Sequence, residues 1–94
     1  MKTYFVYILS NKHRTVFYIG VTNDIQRRVA EHKDFQGSAF CKRYNVTDLM
    51  YYEYTHDIYA AITREKQLKN WHRDWKINLI KQDNPEMKDL SLEF

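Results

Sequence analysis

The run Tyr4-Phe5-Val6-Tyr7-Ile8-Leu9 is apolar at every position. A strand sends alternate side chains to opposite faces, so Phe5, Tyr7 and Leu9 point one way and Tyr4, Val6 and Ile8 the other. A strand over residues 3–9 with two apolar faces belongs in the centre of a sheet covered on both sides. Asn11-Lys12-His13-Arg14 then reads as a turn without Gly or Pro, hence a longer loop than a two-residue hairpin. A second strand is expected over residues 15–21. With a four-residue loop, Ser10 faces Thr15 and Tyr7 faces Tyr18, which sets two phenols side by side on one face. Gly20 follows on that face and leaves room for another backbone or a ligand, or else marks a loose strand end.

The chain then turns helical. Asn23 is the expected N-cap of a helix to about Lys33 or Asp34, with Gln26 as its capping partner. Ile25, Val29 and Ala30 give that helix an apolar stripe. Arg28 and His32 are four apart and stack on one side; an arginine so placed is more often a snorkelling surface side chain. Gln36-Gly37-Ser38 reads as a loop, with Ser38 able to cap a short turn through Cys41, Lys42 and Arg43. Leu49 to Thr55 forms a third strand. Asp57 caps a helix over about 58–71 whose buried face is Ile58, Ala61, Ile62, Leu68 and Trp71. A last helix, about 74–82, carries Trp75, Ile77, Leu79 and Ile80, and Pro85 stops it. The tail brings Met87, Leu90, Leu92 and Phe94 at spacings that suit docking on the domain. These elements predict an α+β fold: a small three-stranded antiparallel sheet flanked by helices, in one domain over 1–94 with a core over about 3–82 and a tail over 83–94.

Glu65 is the informative residue of the long helix. It lies three after Ile62 and three before Leu68, inside the apolar stripe, where a carboxylate is costly unless something answers it. Lys69 at i+4, a tertiary arginine and a metal ion are the candidates.

Composition narrows the classes. Ninety-four residues make one small domain, and 44% hydrophobic with 16% aromatic residues is enough for a core. The single cysteine, Cys41, excludes an internal disulfide. No run is long enough to span a membrane, and no signal-peptide pattern opens the chain. A soluble, cytoplasmic protein is expected, with no membrane partner. A net charge of +3 and a pI of about 9.0 suit a nucleic-acid partner without requiring one. Most Lys and Arg side chains, from Arg27 and Arg28 through Lys81, read equally as solvated helix faces.

The motifs as a set are more specific. Phe5-Val6-Tyr7-Ile8-Leu9, Tyr18-Ile19-Gly20-Val21-Thr22-Asn23-Asp24, Arg27-Arg28 with His32, Arg64-Glu65-Lys66-Gln67-Leu68-Lys69, Trp75-Lys76 with Leu79-Ile80, and Asn84-Pro85 together resemble the GIY-YIG nuclease superfamily over nearly the whole chain. The chain is most similar to the small, stand-alone bacterial members. It is also related to the N-terminal nuclease domain of the excinuclease UvrC. Phe5 stands where the first motif has its glycine. Val21 stands where some family nucleases carry a polar or basic side chain.

The resemblance implies roles. Tyr18 would be the general base or its relay, with Tyr7 as its hydrogen-bonded neighbour. Arg28 would stabilise charge on the scissile phosphate. His32 would orient Tyr18 or assist its deprotonation. Glu65 would hold one divalent ion, Mg²⁺ or Mn²⁺. Gly20 and Asn84 would support the site. The chemistry accords with these types: hydrolysis of a phosphodiester needs a deprotonated nucleophile and counter-charge in the transition state. A free tyrosine, with a pKa near ~10, becomes a better base beside a cation. The expected activity is a metal-dependent endonuclease on DNA, with structured DNA or RNA as further substrates. The alternatives are a non-catalytic nucleic-acid- or partner-binding module, and a purely structural reading in which the tyrosines are core and Glu65 is an internal salt bridge. No added DNA-binding domain is visible, so affinity would rest on phosphate contacts and depend strongly on salt.

Overall fold

The computed structural model describes residues 1–34 and 37–94. Three strands, β1 (Tyr4–Ser10), β2 (Phe17–Thr22) and β3 (Asp48–Thr55), form one antiparallel sheet in the order β2-β1-β3. The doubly apolar run is thus the central strand. Its two sets of side chains seed two cores. Val6 and Ile8 join Ile19, Met50, Ala61, Leu68 and Ile80 on one face. Tyr7 and Leu9 join Ile25, Val29, Cys41, Val46 and Leu49 on the other. The helices follow from this division: α1 (Ile25–Lys33) and α2 (Ala39–Tyr44) cover the second face, α3 (Ile58–Asn70) and α4 (Arg73–Asp83) the first.

Local caps fix the helix starts. Asp57 accepts from the Tyr59 amide at α3, and Ser38 accepts from the Cys41 amide at α2. At α1 the cap is Asp24, which accepts from the Arg27 amide, and not Asn23. The neighbouring Thr22 hydroxyl accepts from the Asp24 amide and sets that entry. The expected loop at Gln36-Gly37-Ser38 lies in part outside the described residues.

The strand register differs from a four-residue loop. Tyr7 pairs with Gly20, Leu9 with Tyr18 and Ser10 with Phe17. The side chain of Asn11 is the cause. Its Oδ1 accepts from the amides of Thr15 and Val16, and its Nδ2 donates to the Thr15 hydroxyl at 2.8 Å. These bonds take Thr15 and Val16 out of the ladder and lengthen the loop. The slip is by two residues, so the faces are preserved and both tyrosines stay on one side.

The helices bury narrower faces than their patterns suggest. Ala61 and Leu68 are buried on α3 and Ile80 on α4, whereas Ile62 and Trp75 remain exposed. Each of these helices lies over a sheet of only three strands, so residues at the margin of the stripe overhang it. In the tail Met87 and Leu90 pack inward, while Leu92 is exposed.

Asn84 has a structural task. Ile8 pairs with Tyr51 and Leu9 with Leu49, so Met50 is a bulge without a strand partner. Asn84 is buried, and its Nδ2 donates to the Met50 carbonyl at 3.1 Å and to the Lys88 carbonyl at 2.8 Å, while its Oδ1 accepts from the Lys88 amide. Asn84→Ala would leave a buried carbonyl unanswered and is expected to cost about 1–3 kcal/mol, read as a lower denaturant midpoint at unchanged slope.

Candidate active site

Four of the expected residues converge on the face covered by α1. The Tyr7 and Tyr18 rings lie 6.4 Å apart, and His32 lies 6.1 Å from the first and 5.5 Å from the second. His32 and Arg28 both come from α1, one turn apart; His32 meets both tyrosines and Arg28 meets Tyr7. The hydrogen bond of His32 goes to Tyr7, from Nε2 to the phenol oxygen at 3.4 Å, and not to Tyr18, which it meets through its ring.

Burial divides the tyrosines. Tyr7 is 1% exposed, and its pKa is pushed up to about 12, first by burial and partly offset by the Arg28 guanidinium beside its hydroxyl. Tyr7 is therefore a phenol, not a phenolate, at neutral pH. Tyr18 is only half-buried, with Phe40 of α2 packed on it at 6.1 Å. Contact with Tyr7 and then with Glu31 (3.2 Å) raises the pKa of Arg28 and holds it charged.

His32 is fully buried, and its pKa is lowered to about 4, by burial first and then by Arg28. It is neutral under ordinary conditions. Its Nδ1 has no hydrogen-bond partner among the described residues. A bare lone pair is cheaper to bury there than an N–H. The tautomer sets which of Nε2 and the Tyr7 hydroxyl donates in the bond between them.

Two glycines make this packing possible. A Cβ on Gly20 would lie 2.5 Å from Tyr7 Cζ and nearer still to its oxygen. The room beside Gly20 is thus taken by Tyr7 itself, not by a ligand. A Cβ on Gly37 would lie 2.6 Å from His32 Cε1. Gly20→Ala must displace a buried ring and is expected to cost about 1–3 kcal/mol. For a domain of this size that corresponds to a melting temperature lower by roughly 4–8 °C per kcal/mol, measured by calorimetry.

Arg28 also belongs to a cleft of about 550 Å³ lined by Thr22, Asn23, Arg27, Glu31 and, across the sheet edge, Val21 and Ile58. Its two guanidinium groups and one amide suit an anionic backbone. Sequence reading missed Arg27 and Asn23 as lining groups, and also Phe40. Glu31 was missed too, although its i+3 spacing from Arg28 could have found it.

Glu65 stands apart from the four. It belongs to α3, which packs on the opposite face, and its side chain is 22% exposed with Lys69 at 3.4 Å. No hydrogen bond or ion pair joins it to the cluster among the described residues. It does share a flank with Ile58, two turns earlier and about 10 Å along the helix, and Ile58 lines the cleft. Among the described residues no three His, Cys, Asp or Glu side chains gather as a metal cage. A lone carboxylate with one loosely paired lysine fits Mg²⁺ or Mn²⁺, which keep several waters and take few protein ligands. Asn84 is not brought to the site: it serves β3, the edge strand opposite the one that carries Tyr18.

Comparison with known proteins places the chain in a family and a fold. Residues 3–78 match the GIY-YIG catalytic domain. The chain belongs to the GIY-YIG family. A UPF0213 protein of Syntrophus aciditrophicus is 34% identical over 87 residues, covering 92% of this chain and 98% of the relative. A UPF0213 protein of Staphylococcus aureus is 32% identical over 82 residues, covering 87% and 99%. The solution NMR structure of a UPF0213 protein from Bacillus halodurans superposes with a TM-score of 0.56 at 24% identity, over 87% of this chain and 86% of that one. It shares the GIY-YIG α+β fold. Both relatives are matched over nearly their whole length. No helix here is long and apolar enough to cross a membrane among the described residues.

Proposed function

We propose that this GIY-YIG chain is an endonuclease that hydrolyses phosphodiester bonds in nucleic acid, DNA first among them, with one divalent metal ion. The observation that supports this best is the packing of Tyr7, Tyr18 and His32 together, with Arg28 beside Tyr7 and also lining the cleft that holds Arg27. Arg28 binds the scissile phosphate and neutralises charge that builds on its oxygens. Tyr18, the half-exposed phenol, takes the proton of the attacking water. Tyr7 is too buried and too weakly acidic to act as that base. His32, neutral, shares a hydrogen bond with Tyr7 and packs on Tyr18, and so fixes both rings. Glu65 would hold the divalent ion, which would supply further counter-charge in the transition state.

The pairing of Glu65 with Lys69 favours a second reading, a nucleic-acid-binding module without turnover. The deciding experiment uses labelled supercoiled, nicked, branched and single-stranded DNA, and RNA. Each is incubated with Mg²⁺, Mn²⁺ or EDTA, for the parent and for Glu65→Ala, Tyr18→Phe and Arg28→Ala. Metal-dependent cutting that all three variants lose supports the nuclease. Binding without cutting in the parent, unchanged in Glu65→Ala, supports the second reading. Stability adds an independent sign. Loss of a metal ligand leaves the metal-free fold unchanged or firmer, whereas loss of a needed salt bridge weakens it.

A further inference from the structure

The strand register sets two lateral rows on the face that carries Tyr7. One row is Tyr52, Tyr7 and Gly20; the next is Tyr54, Phe5 and Thr22. Directly opposed residues of an antiparallel pair share a face. Ile25 and Val29 of α1 cover this face over Tyr7 and Leu9. On its β3 side Tyr52 and Tyr54 remain 41% and 67% exposed. Phe5 lies 6.2 Å from Tyr52 and 6.4 Å from Tyr54, and Phe94 packs on Tyr52 at 6.4 Å. The neighbouring Tyr51, by contrast, belongs to the buried core of the opposite face and donates to Glu53 at 2.8 Å.

We propose that Phe5, Tyr52 and Tyr54 form a stacking platform for unpaired bases of the strand whose phosphate is held at Arg28. The position of that phosphate rests on the nuclease reading; the stacking surface does not. The platform is continuous with the cleft. Thr22 is the row partner of Phe5, and it lines the cleft with Asn23, Arg27 and Arg28. From Tyr54 to Thr22 is two strand spacings, about 10 Å. A cationic rail beside exposed rings is the arrangement that holds single strands, because every base offers a π-face once it is unpaired. A duplex hides those faces, so the platform selects frayed ends, flaps or loops.

The test is binding, in EDTA, of a 2-aminopurine-labelled single-stranded oligonucleotide and of its duplex. The parent is expected to change the probe's fluorescence on the single strand. Tyr54→Ala and Tyr52→Ala should each weaken single-strand binding roughly 5- to 100-fold and change duplex binding less than about twofold. Tyr54→Phe, which keeps the ring, should bind as the parent does. Arg27→Ala should weaken both substrates and flatten the salt dependence. Equal losses on the two substrates, no loss in either alanine variant, or no single-strand binding by the parent would overturn the platform. So would a dimer in sedimentation that Tyr54→Ala dissociates, which would assign the rings to a second copy of the chain. If Mg²⁺ and Mn²⁺ give no cleavage but ring-dependent binding persists, the nuclease reading fails and the platform stands.

Discussion

Replacing Arg28 with alanine should slow cleavage roughly 100- to 1,000-fold, the scale of removing one preorganised donor from a charged transition state. Stability should fall by about 1–3 kcal/mol, mostly from the lost contact with the buried Tyr7 hydroxyl, because the ion pair with Glu31 is partly solvated on both sides. Arg28→Lys should recover only part of the rate, since an ammonium is a point charge without the planar fork. Single-turnover cleavage and chemical denaturation on the same samples separate the two effects. Arg28 also lowers the pKa of His32, so in Arg28→Ala the histidine should titrate closer to its ordinary range. An Arg28→Ala variant that cuts at the parent's rate would leave the arginine as a structural neighbour of Tyr7 and remove the electrostatic centre from the mechanism.

The second large effect is on folding against pH. The pKa of His32 is about 4 in the folded chain and 6.5 ordinarily. Between those values the unfolded chain holds the extra proton and the folded chain does not, so stability falls as pH drops through this window. The contribution is present in full above about pH 6.5 and is lost by about pH 4, a difference of roughly 3 kcal/mol. His32→Gln cannot titrate. Denaturation of parent and variant at pH 7, 6, 5 and 4 should therefore show the parent's advantage shrinking by about that amount, with the carboxylates common to both cancelling. A difference that stays flat across the series would mean that His32 titrates alike in the folded and unfolded chain, contrary to its burial.

Much of this was legible because it depends on parity and period. The apolar run of β1 announced a central strand, and its odd and even residues went to separate cores. Tyr7 and Tyr18 share a face in either hairpin register, since a two-residue slip restores the same side. The one-turn spacing of Arg28 and His32 placed both against that face. The register itself was not legible, because Asn11 closes the loop with its side chain, and nothing in the periodicity reports a side chain that competes with the ladder. Ile62 and Trp75 fit the helical period, but a narrow sheet leaves them overhanging. Phe40 reaches Tyr18 only through the tertiary fold of a short helix. Asn84 carried a family signature yet acts on a bulge in β3, which no pattern of the strand foretells. Glu65 was correctly suspect as a carboxylate in an apolar stripe, and the fold gives it a lysine and a flank shared with the cleft, but no contact with the tyrosines.

The chain has two glycines, and one lies flush against each member of the Tyr7–His32 pair. The two rings that back Tyr18 are therefore seated in a mould cast from main chain, and the mould is defined by missing matter. A methyl group at either position is an internal plug that unseats a ring several bonds away. A screen of every substitution for activity would mark these two voids as sharply as the tyrosines, although neither glycine offers a functional group. Redesign of the site for other chemistry would have to begin from them, because they set which rings the pocket can accept before any side chain is chosen.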